Sequence, residues 1–216
     1  DAANGSGFLL GVEAKKNRTA SSLFAEGSDP ARLIQPTAYE NLDLLPADES
    51  IRTLDRTLDR IGKKKRIAKL SAALAKDYDR IIFDCPPQLG YLTMSALCAS
   101  TGVLITIVPN MLDVASMSQF LQMTADLLDV VSGAGANMTF DFMRFLINRY
   151  EPSDGPQQQV VAFLRQLFGD EVMVAPMLKS TAISDAGLTQ QTVYEVERSA
   201  FHRNTYDRAL DSLNLV

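Results

Sequence analysis

The sequence contains few of the residues from which catalytic and metal centres are usually built. Cys85 and Cys98 are its only cysteines, and His202 is its only histidine. The two cysteines lie in apolar stretches and belong to no CxxC motif or Cys/His cluster, so neither a disulfide framework nor a zinc site is expected. There is no HExxH motif, and the sequence places no Ser or Cys nucleophile beside His202, which argues against a zinc protease and a serine-type hydrolase.

Long apolar runs and a strong positive charge are missing as well. No apolar run approaches the roughly 20 residues that cross a bilayer, and residues 1–16 lack the basic start and apolar centre of a signal peptide. We therefore expect a soluble, cytoplasmic protein that does not use a membrane. The formal net charge of −5 excludes a chain that coats nucleic acid with its whole surface. Any contact with DNA should be a local basic patch.

A phosphate-binding loop of the form G-x-x-x-x-G-K-[ST] does not occur in the sequence. In "IGKKKR" (61–66), Thr57 stands where the first Gly of such a loop is needed, and Lys64 stands where a Ser or Thr would bind magnesium. "GSGFLLG" (5–11) is a poor GxGxxG because its last Gly comes one residue late, and we interpret it as a turn that enters a helix. The chain therefore lacks the amides and the lysine that hold nucleotide phosphates.

The residues that are present predict an α/β protein. The 216 residues are 46% hydrophobic and 22% charged, a balance typical of a globular domain with a core. Short apolar runs alternate with longer amphipathic ones, which indicates a doubly wound, mostly parallel sheet flanked by helices. Pro46 ends the first run, and the acidic residues after it are candidates to cap a helix. We expect strands at 41–47, 80–84, 102–110, 142–149 and 171–178.

The stretch "YDRIIFDCPPQLG" (78–90) contains the most informative candidate site. Asp84 follows a strand predicted to be buried, and ligands of doubly wound sheets bind beyond the carboxyl ends of the strands. A carboxylate there suits a magnesium ion, often held through water, although the same pattern fits an Asp that caps the following helix. Pro86 and Pro87 fix the backbone and remove two amide donors, which stiffens the turn and favours the phosphate-side interpretation.

Four segments together resemble the ParA-type partition ATPases of the MinD/ParA class of deviant P-loop ATPases. Residues 78–99 resemble the Walker B region and the helix after it, and "NLDLLPAD" (41–48) is similar to the family's strand before its long helix. "FLINRYEPSDGPQQQVVAFLRQLFG" (145–169) and "PMLKSTAISDAGLTQQTVYEVE" (176–197) resemble the RepA plasmid partitioning subgroup. The resemblance extends over essentially the whole chain.

The resemblance implies how the domain is organised. Residues 1–216 would form a single ParA-type, P-loop NTPase-like domain that lacks its first strand, phosphate-binding loop, first helix and second strand. Asp1 would correspond to the second Asp of the family's DxDPQ element and is the candidate catalytic residue. Since the sequence begins at Asp1 without a methionine, we expect the natural start to lie upstream.

The resemblance also implies the nucleotide site. Asp84 would help to hold Mg²⁺, through water, with Pro86 and Pro87 on the phosphate side. The base of ATP would lie near four residues, namely Asn148, Arg149, Pro176 and Met177. Two alternatives stay open from the residues alone: Asn148 could instead bond its own loop, and Met177 could belong to the core.

For DNA, Lys179 in "LKSTAISDAG" is the leading contact candidate. Arg165, Arg198 and Arg203 are weaker candidates, since each could be a plain surface cation. The family resemblance implies an ATP-bound homodimer that binds DNA non-specifically and associates with the nucleoid. It also implies a centromere-binding partner of the ParB/RepB type that stimulates ATP hydrolysis.

Two other functions remain open from the sequence. The chain could be a non-catalytic interaction domain that has lost nucleotide binding. It could also be a MinD-like positioning ATPase, but that group ends in a basic amphipathic helix and this chain ends in "YDRALDSLNLV".

The missing loop predicts a biochemical result. The 216-residue chain should hydrolyse Mg-ATP poorly or not at all, because it has no lysine and amide cradle to hold the phosphates. The measurement is phosphate release at saturating ATP, with a complete P-loop ATPase as the positive control. Turnover comparable to that enzyme would contradict the prediction.

Overall fold

The computed structural model describes residues 4–25, 28–61, 66–86, 90–133, 138–196 and 203–215. The chain divides into two units, residues 1–100 and 101–216, each with its own core. The single domain expected from the sequence stays a prediction. None of the described helices is long and apolar enough to cross a membrane.

Unit one consists of short helices and one small hairpin. In chain order its elements are α1 (Gly5–Leu9), a 3₁₀ turn (Ala20–Phe24), α2 (Pro30–Leu33), β1 (Gln35–Pro36), β2 (Asp43–Leu44), α3 (Ser50–Ile61), α4 (Arg66–Leu74) and α5 (Tyr91–Leu97). The strands β1 and β2 are antiparallel, with Gln35 opposite Leu44. At the start of α2, Asp29 accepts a hydrogen bond from the amide of Ala31 and Pro30 takes the first helical position, a combination that favours helix entry.

The core of unit one forms around one face of α4. Ile67, Leu70 and Leu74 recur at helical spacing on this face and are buried. They pack with buried residues from the 3₁₀ turn, α2 and α5, namely Leu23, Phe24, Leu33 and Tyr91. Ile81 and Phe83 lie against the same cluster and are partly buried.

The prediction of a buried strand at 80–84 is wrong. These residues belong to no strand, and Ile82 is 88% exposed. Its neighbours Ile81 and Phe83 face the core, so burial alternates with period two along the segment. In the described part of the chain no strand pairs with this segment, so only one of its faces is covered.

Unit two is built on a parallel βαβ arrangement. Its elements are β3 (Gly102–Ile107), α6 (Met111–Gly133), β4 (Phe142–Ile147), α7 (Gly155–Phe168), a 3₁₀ turn (Gly169–Glu171), α8 (Thr181–Leu188) and α9 (Arg203–Leu215). The strands β3 and β4 pair in parallel from Gly102 opposite Phe142 to Ile107 opposite Ile147. A parallel pair needs a long crossover connection, and α6 supplies it.

The other predicted strands are shorter than expected. The run at 41–47 contributes only Asp43–Leu44, and the run at 171–178 forms only two isolated parallel bridges, Phe145 with Val172 and Tyr150 with Leu178. Pro176 interrupts this last run, and a proline cannot donate to a strand ladder. In β3, Leu104 is 51% exposed, so this strand is not covered on both faces as its apolar sequence suggested.

The core of unit two lies between the parallel strands and α7. Ile147 and Leu164 are fully buried, and the rings of Phe145 and Phe168 lie 4.5 Å apart between centroids. Helix α7 begins where the carboxylate of Asp154 accepts a hydrogen bond from the amide of Gln157. It ends at Gly169, where φ is 53°, a value that glycine adopts without strain.

Asp48 is the polar centre of unit one. Its carboxylate accepts hydrogen bonds from the hydroxyls of Thr19, Ser21 and Ser50 and from the amide of Ser50 at the start of α3. Partial burial opposes ionisation, but the hydrogen bonds outweigh it and hold the pKa of Asp48 below its ordinary value. The expected acidic cap after Pro46 is thereby confirmed, and it also ties the 3₁₀ turn to α3.

We predict that Asp48→Asn destabilises the protein by about 1–3 kcal/mol at pH 7, because an amide cannot accept from all these donors. A carboxyl group whose pKa is lowered by folding stabilises the native state above the unfolded pKa near 3.8 and loses this contribution as the pH falls through the folded value. The difference in the free energy of unfolding between variant and wild type, measured with urea, should therefore narrow as the pH falls below 3.8. Asp79→Asn, at an exposed position of the same unit, is the control; an equal effect from both variants would contradict this role of Asp48.

Candidate functional site

Asp84 lies in the extended segment that follows α4. The segment is anchored at its start by Tyr78, whose hydroxyl donates to Oδ2 of Asp43 at 2.6 Å. This hydrogen bond, together with desolvation and nearby negative charge, raises the pKa of Tyr78 to about 12. The side chain of Asp84 is exposed, and Pro86 two residues later is half-buried. Pro87 lies outside the described residues.

The carboxylate of Asp84 is held by a residue that the sequence analysis did not single out. Ser6, in α1, donates its hydroxyl to Oδ2 of Asp84 across 78 residues of sequence. Asp84 is not the cap of the following helix, since the N-cap of α5 is Gly90. The available signal was the hydroxyl within "GSG" (5–7), but small-residue turns are too common for that hydroxyl to have been selected.

The surroundings of Asp84 fit a magnesium ion that is bound mainly by other groups. Among the described residues there is no group of three or more His, Cys, Asp or Glu side chains that could hold a metal ion. Magnesium prefers oxygen ligands, keeps several waters, and is commonly bound by one or two carboxylates together with substrate phosphates. One exposed carboxylate suits such a water-mediated contact and does not suit a cage made entirely of protein.

In unit two, Asn148 and Arg149 form the turn at the end of β4. The amide of Asn148 donates to the carbonyl of Ile107 at 2.8 Å, which extends the pairing of the parallel strands by one bond. Oδ1 of Asn148 accepts from the amide of Arg149 at 2.9 Å, and Arg149 has a φ of 54°, in the left-handed region. Asn148 therefore bonds its own loop, as one of its two interpretations expects; its contact with a base stays a prediction.

Pro176 and Met177 lie directly beside this turn. The amide of Met177 donates to the carbonyl of Ile147 at 2.8 Å, and the amide of Tyr150 donates to the carbonyl of Met177 at 2.9 Å. Both Pro176 and Met177 are partly exposed, so Met177 is not a fully buried core residue. The structure thus brings the four predicted base-side residues together at the carboxyl end of β4.

Comparison with known proteins gives the family. The AAA domain family matches residues 3–132. A putative replication protein A of Rhizobium rhizogenes is 48% identical over 194 residues, covering 86% of this chain and 48% of its own length. The sporulation initiation inhibitor protein Soj of Bacillus subtilis is 28% identical over 181 residues, covering 82% of this chain and 69% of Soj. The chain belongs to the ParA/MinD-type partition ATPases. It spans about half the length of the replication protein A relatives.

Solved structures show the fold of the chain. Apo McdA of Cyanothece matches with a TM-score of 0.77 and 18% identity, over 99% of this chain and 84% of McdA. MinD of Pyrococcus horikoshii, solved with Mg-ADP, matches with a TM-score of 0.64 and 17% identity, over 98% and 79%. These likenesses confirm the predicted α/β, P-loop NTPase-like class. McdA has also been solved with ATP, so nucleotide and magnesium are bound by relatives of this fold.

The candidate DNA-contact residues differ in the groups that surround them. Lys179 is exposed, and its ammonium group forms an ion pair with Glu151. Arg165 is exposed on α7 and donates to the carbonyl of Val174 at 2.9 Å. Asp1, Arg198 and His202 lie outside the described residues, as does the side chain of Arg203 at the start of α9.

Ser212 is a second functional candidate that the sequence analysis missed. It lies in α9, is buried, and donates its hydroxyl to the carbonyl of Pro176 at 2.8 Å. The same oxygen accepts from the amide of Leu178, also at 2.8 Å. One hydroxyl therefore fixes the backbone on both sides of Met177. The available signal was a serine among the buried positions of a helix, close to Ala209 and Leu210.

We predict that Ser212→Ala loosens the segment around Met177. Removal of the hydroxyl takes away the partner of the Leu178 amide and of the Pro176 carbonyl, both in partly buried residues, which costs about 1 kcal/mol of folding stability. Hydrogen exchange should show faster exchange of the Leu178 amide in the variant. Ser116→Ala is the matched control, because Ser116 is exposed on α6 and bonds only a carbonyl of its own helix. Unchanged exchange at Leu178 would show that Ser212 does not hold the segment.

Proposed function

We propose that the chain is part of a ParA/RepA-type ATPase that acts in plasmid or chromosome partitioning. In this proposal the protein dimerises with ATP, and the dimer binds DNA without sequence preference on the nucleoid in the cytoplasm. A centromere-binding protein of the ParB/RepB type stimulates ATP hydrolysis, which returns the protein to the state that does not bind DNA. The proposal is supported by the 48% identity to putative replication protein A over most of the chain.

The observation that carries the proposal is the exposed carboxylate of Asp84, which accepts a hydrogen bond from Ser6. Magnesium would supply neutralisation of the charge on the β- and γ-phosphates while water attacks the γ-phosphate in line. Asp84 would orient the water shell of the ion by accepting hydrogen bonds from it. Ser6 would keep the carboxylate in that orientation, because a positioned acceptor needs no rearrangement when the ion binds.

The base side of the proposal rests on the turn at the end of β4. Pro176 and Met177 offer apolar surface of a kind that suits the flat face of a purine, and the polarisable thioether of Met adapts to it. Asn148 and Arg149 contribute polar groups at the edge of the same surface. Ser212 would act indirectly, by holding the backbone on both sides of Met177.

The proposed contact with DNA depends on the positive charge of Lys179 and on its exposure at the surface. Lys179 is exposed, and phosphate contacts require little more than an accessible cation on a positioned backbone. Because the chain as a whole carries a net charge of −5, a basic contact has to be local. Lys179 is an exposed cation of this kind within residues 176–197, one of the two segments that resemble the RepA subgroup.

A DNA-binding experiment tests the proposal. The protein encoded by the complete natural reading frame is titrated against labelled duplexes of unrelated sequence, with Mg-ATP, Mg-ADP or no nucleotide. We expect binding with Mg-ATP only, equal for all sequences, and weakened at least about tenfold by Asp84→Asn, which corresponds to about 1.4 kcal/mol. Asp79→Asn, an exposed carboxylate five residues away, should bind like wild type.

The possible results separate the proposal from its rivals. Binding that ignores nucleotide, or that Asp84→Asn leaves unchanged, would reject an ATP-dependent switch at Asp84. No nucleotide binding by calorimetry would favour a non-catalytic interaction domain. ATP-dependent binding to vesicles instead of DNA would favour a MinD-like function.

A further inference from the structure

Lys179 does not present an unopposed positive charge. Its Nζ lies 2.8 Å from Oε1 of Glu151, and both side chains are about half exposed, 52% for Lys179 and 42% for Glu151. The ammonium is thus partly neutralised at the position where the proposed function places a DNA phosphate. Arg165, the other DNA-contact candidate whose side chain is described, donates to a carbonyl oxygen, which does not neutralise its charge.

The two residues meet because the backbone places them side by side. Tyr150 and Leu178 form an isolated parallel bridge, and Glu151 and Lys179 are the next residues along the two segments. The amide of Lys179 donates to the carbonyl of Tyr150 at 3.0 Å, so the base of its side chain is tied to the neighbouring segment.

Glu151 is fixed from the other side. Its amide donates to Oε1 of Gln157, in the first turn of α7, at 3.0 Å. Because hydrogen bonds hold both backbones, the two side chains lose less conformational entropy on pairing than long side chains on mobile segments would. The two charged groups therefore extend from neighbouring backbone positions that are both held by hydrogen bonds.

An exposed ion pair of this kind is weak enough to exchange. The carboxylate and a DNA phosphate are both anions that accept hydrogen bonds from an ammonium group, and water and salt screen the attraction in either case. When phosphate replaces Glu151, Lys179 keeps a partner. The freed carboxylate then lies close to the phosphate and repels it.

We propose that Glu151 sets the strength of DNA binding by competing with phosphate for Lys179. The inference rests on the proposed function, since it requires that Lys179 contacts DNA. Glu151 acts through Lys179 and is a positioning residue for that contact, not itself a ligand of DNA. Its presence keeps non-specific binding weak, and it gives Lys179 a partner to return to when the DNA leaves.

The test compares Glu151→Gln, Lys179→Gln and the double variant, each in the protein encoded by the complete natural reading frame. Duplex DNA of unrelated sequence is titrated with Mg-ATP at several salt concentrations. We expect Glu151→Gln to raise the affinity about two- to tenfold, and Lys179→Gln to lower it and reduce the slope of log affinity against log salt by about one. In the Lys179→Gln background, Glu151→Gln should have little effect.

Glu171→Gln is the matched control. Glu171 forms an exposed ion pair with Arg144, so this variant makes the same change in charge and also releases a cation of unit two. Its affinity should stay within about twofold of wild type. Thermal unfolding of each variant shows that the fold is kept, and glutamine preserves the size of the replaced side chain.

The results distinguish the inference from the function on which it rests. If wild type binds DNA and Lys179→Gln weakens it while Glu151→Gln changes nothing, the inference is overturned and the proposed function stands. A gain that persists without Lys179, or that Glu171→Gln reproduces, overturns the inference as well, because net charge would then explain it. If wild type with Mg-ATP binds no DNA, the proposed function fails and the inference fails with it.

Discussion

Three backbone hydrogen bonds join residues 147–150 to residues 177–179 in unit two. They hold most of the predicted site residues of this unit together at the carboxyl end of β4. The amide of Met177 donates to the carbonyl of Ile147, the amide of Tyr150 to the carbonyl of Met177, and the amide of Lys179 to the carbonyl of Tyr150. Without them the base-side residues would lie on two unconnected loops, and Glu151 would not meet Lys179. The pairing also explains how a proline-interrupted run that forms no regular strand still has a defined place beside β4.

Carboxylates are held in two contrasting ways in this protein. Asp48 and Asp84 accept hydrogen bonds from serine or threonine hydroxyls, which orient the group and leave its negative charge in place. Glu151 is held by an ammonium group, which cancels much of that charge. The first arrangement suits a group that attracts a cation, and the second suits a group that occupies one.

Local patterns predicted those features that depend on neighbouring residues. The acidic cap after Pro46 and the separate apolar strands at 102–107 and 142–147 each follow from patterns within a few neighbouring residues. The contacts of Ser6, Ser212 and Glu151 join residues separated by 28 to 78 positions, so no local pattern contains them. The strand predicted at 80–84 failed for a related reason. Its apolar sequence indicates burial, but burial on both faces needs a partner strand, and no described strand pairs with it.

At Arg149 the backbone conformation favours glycine, whereas the proposed contact with the base needs the arginine side chain. At a φ of 54°, the backbone conformation of a residue other than glycine costs about 1–2 kcal/mol more than that of glycine. Selection for stability alone would move this position toward glycine or asparagine, and selection for a cation beside the turn would keep arginine. Substitutions at position 149 therefore separate selection for stability from selection for a positively charged side chain. If Arg149 contacts the base as proposed, a library of substitutions at this position would yield different preferred residues when sorted for expression and when sorted for nucleotide binding.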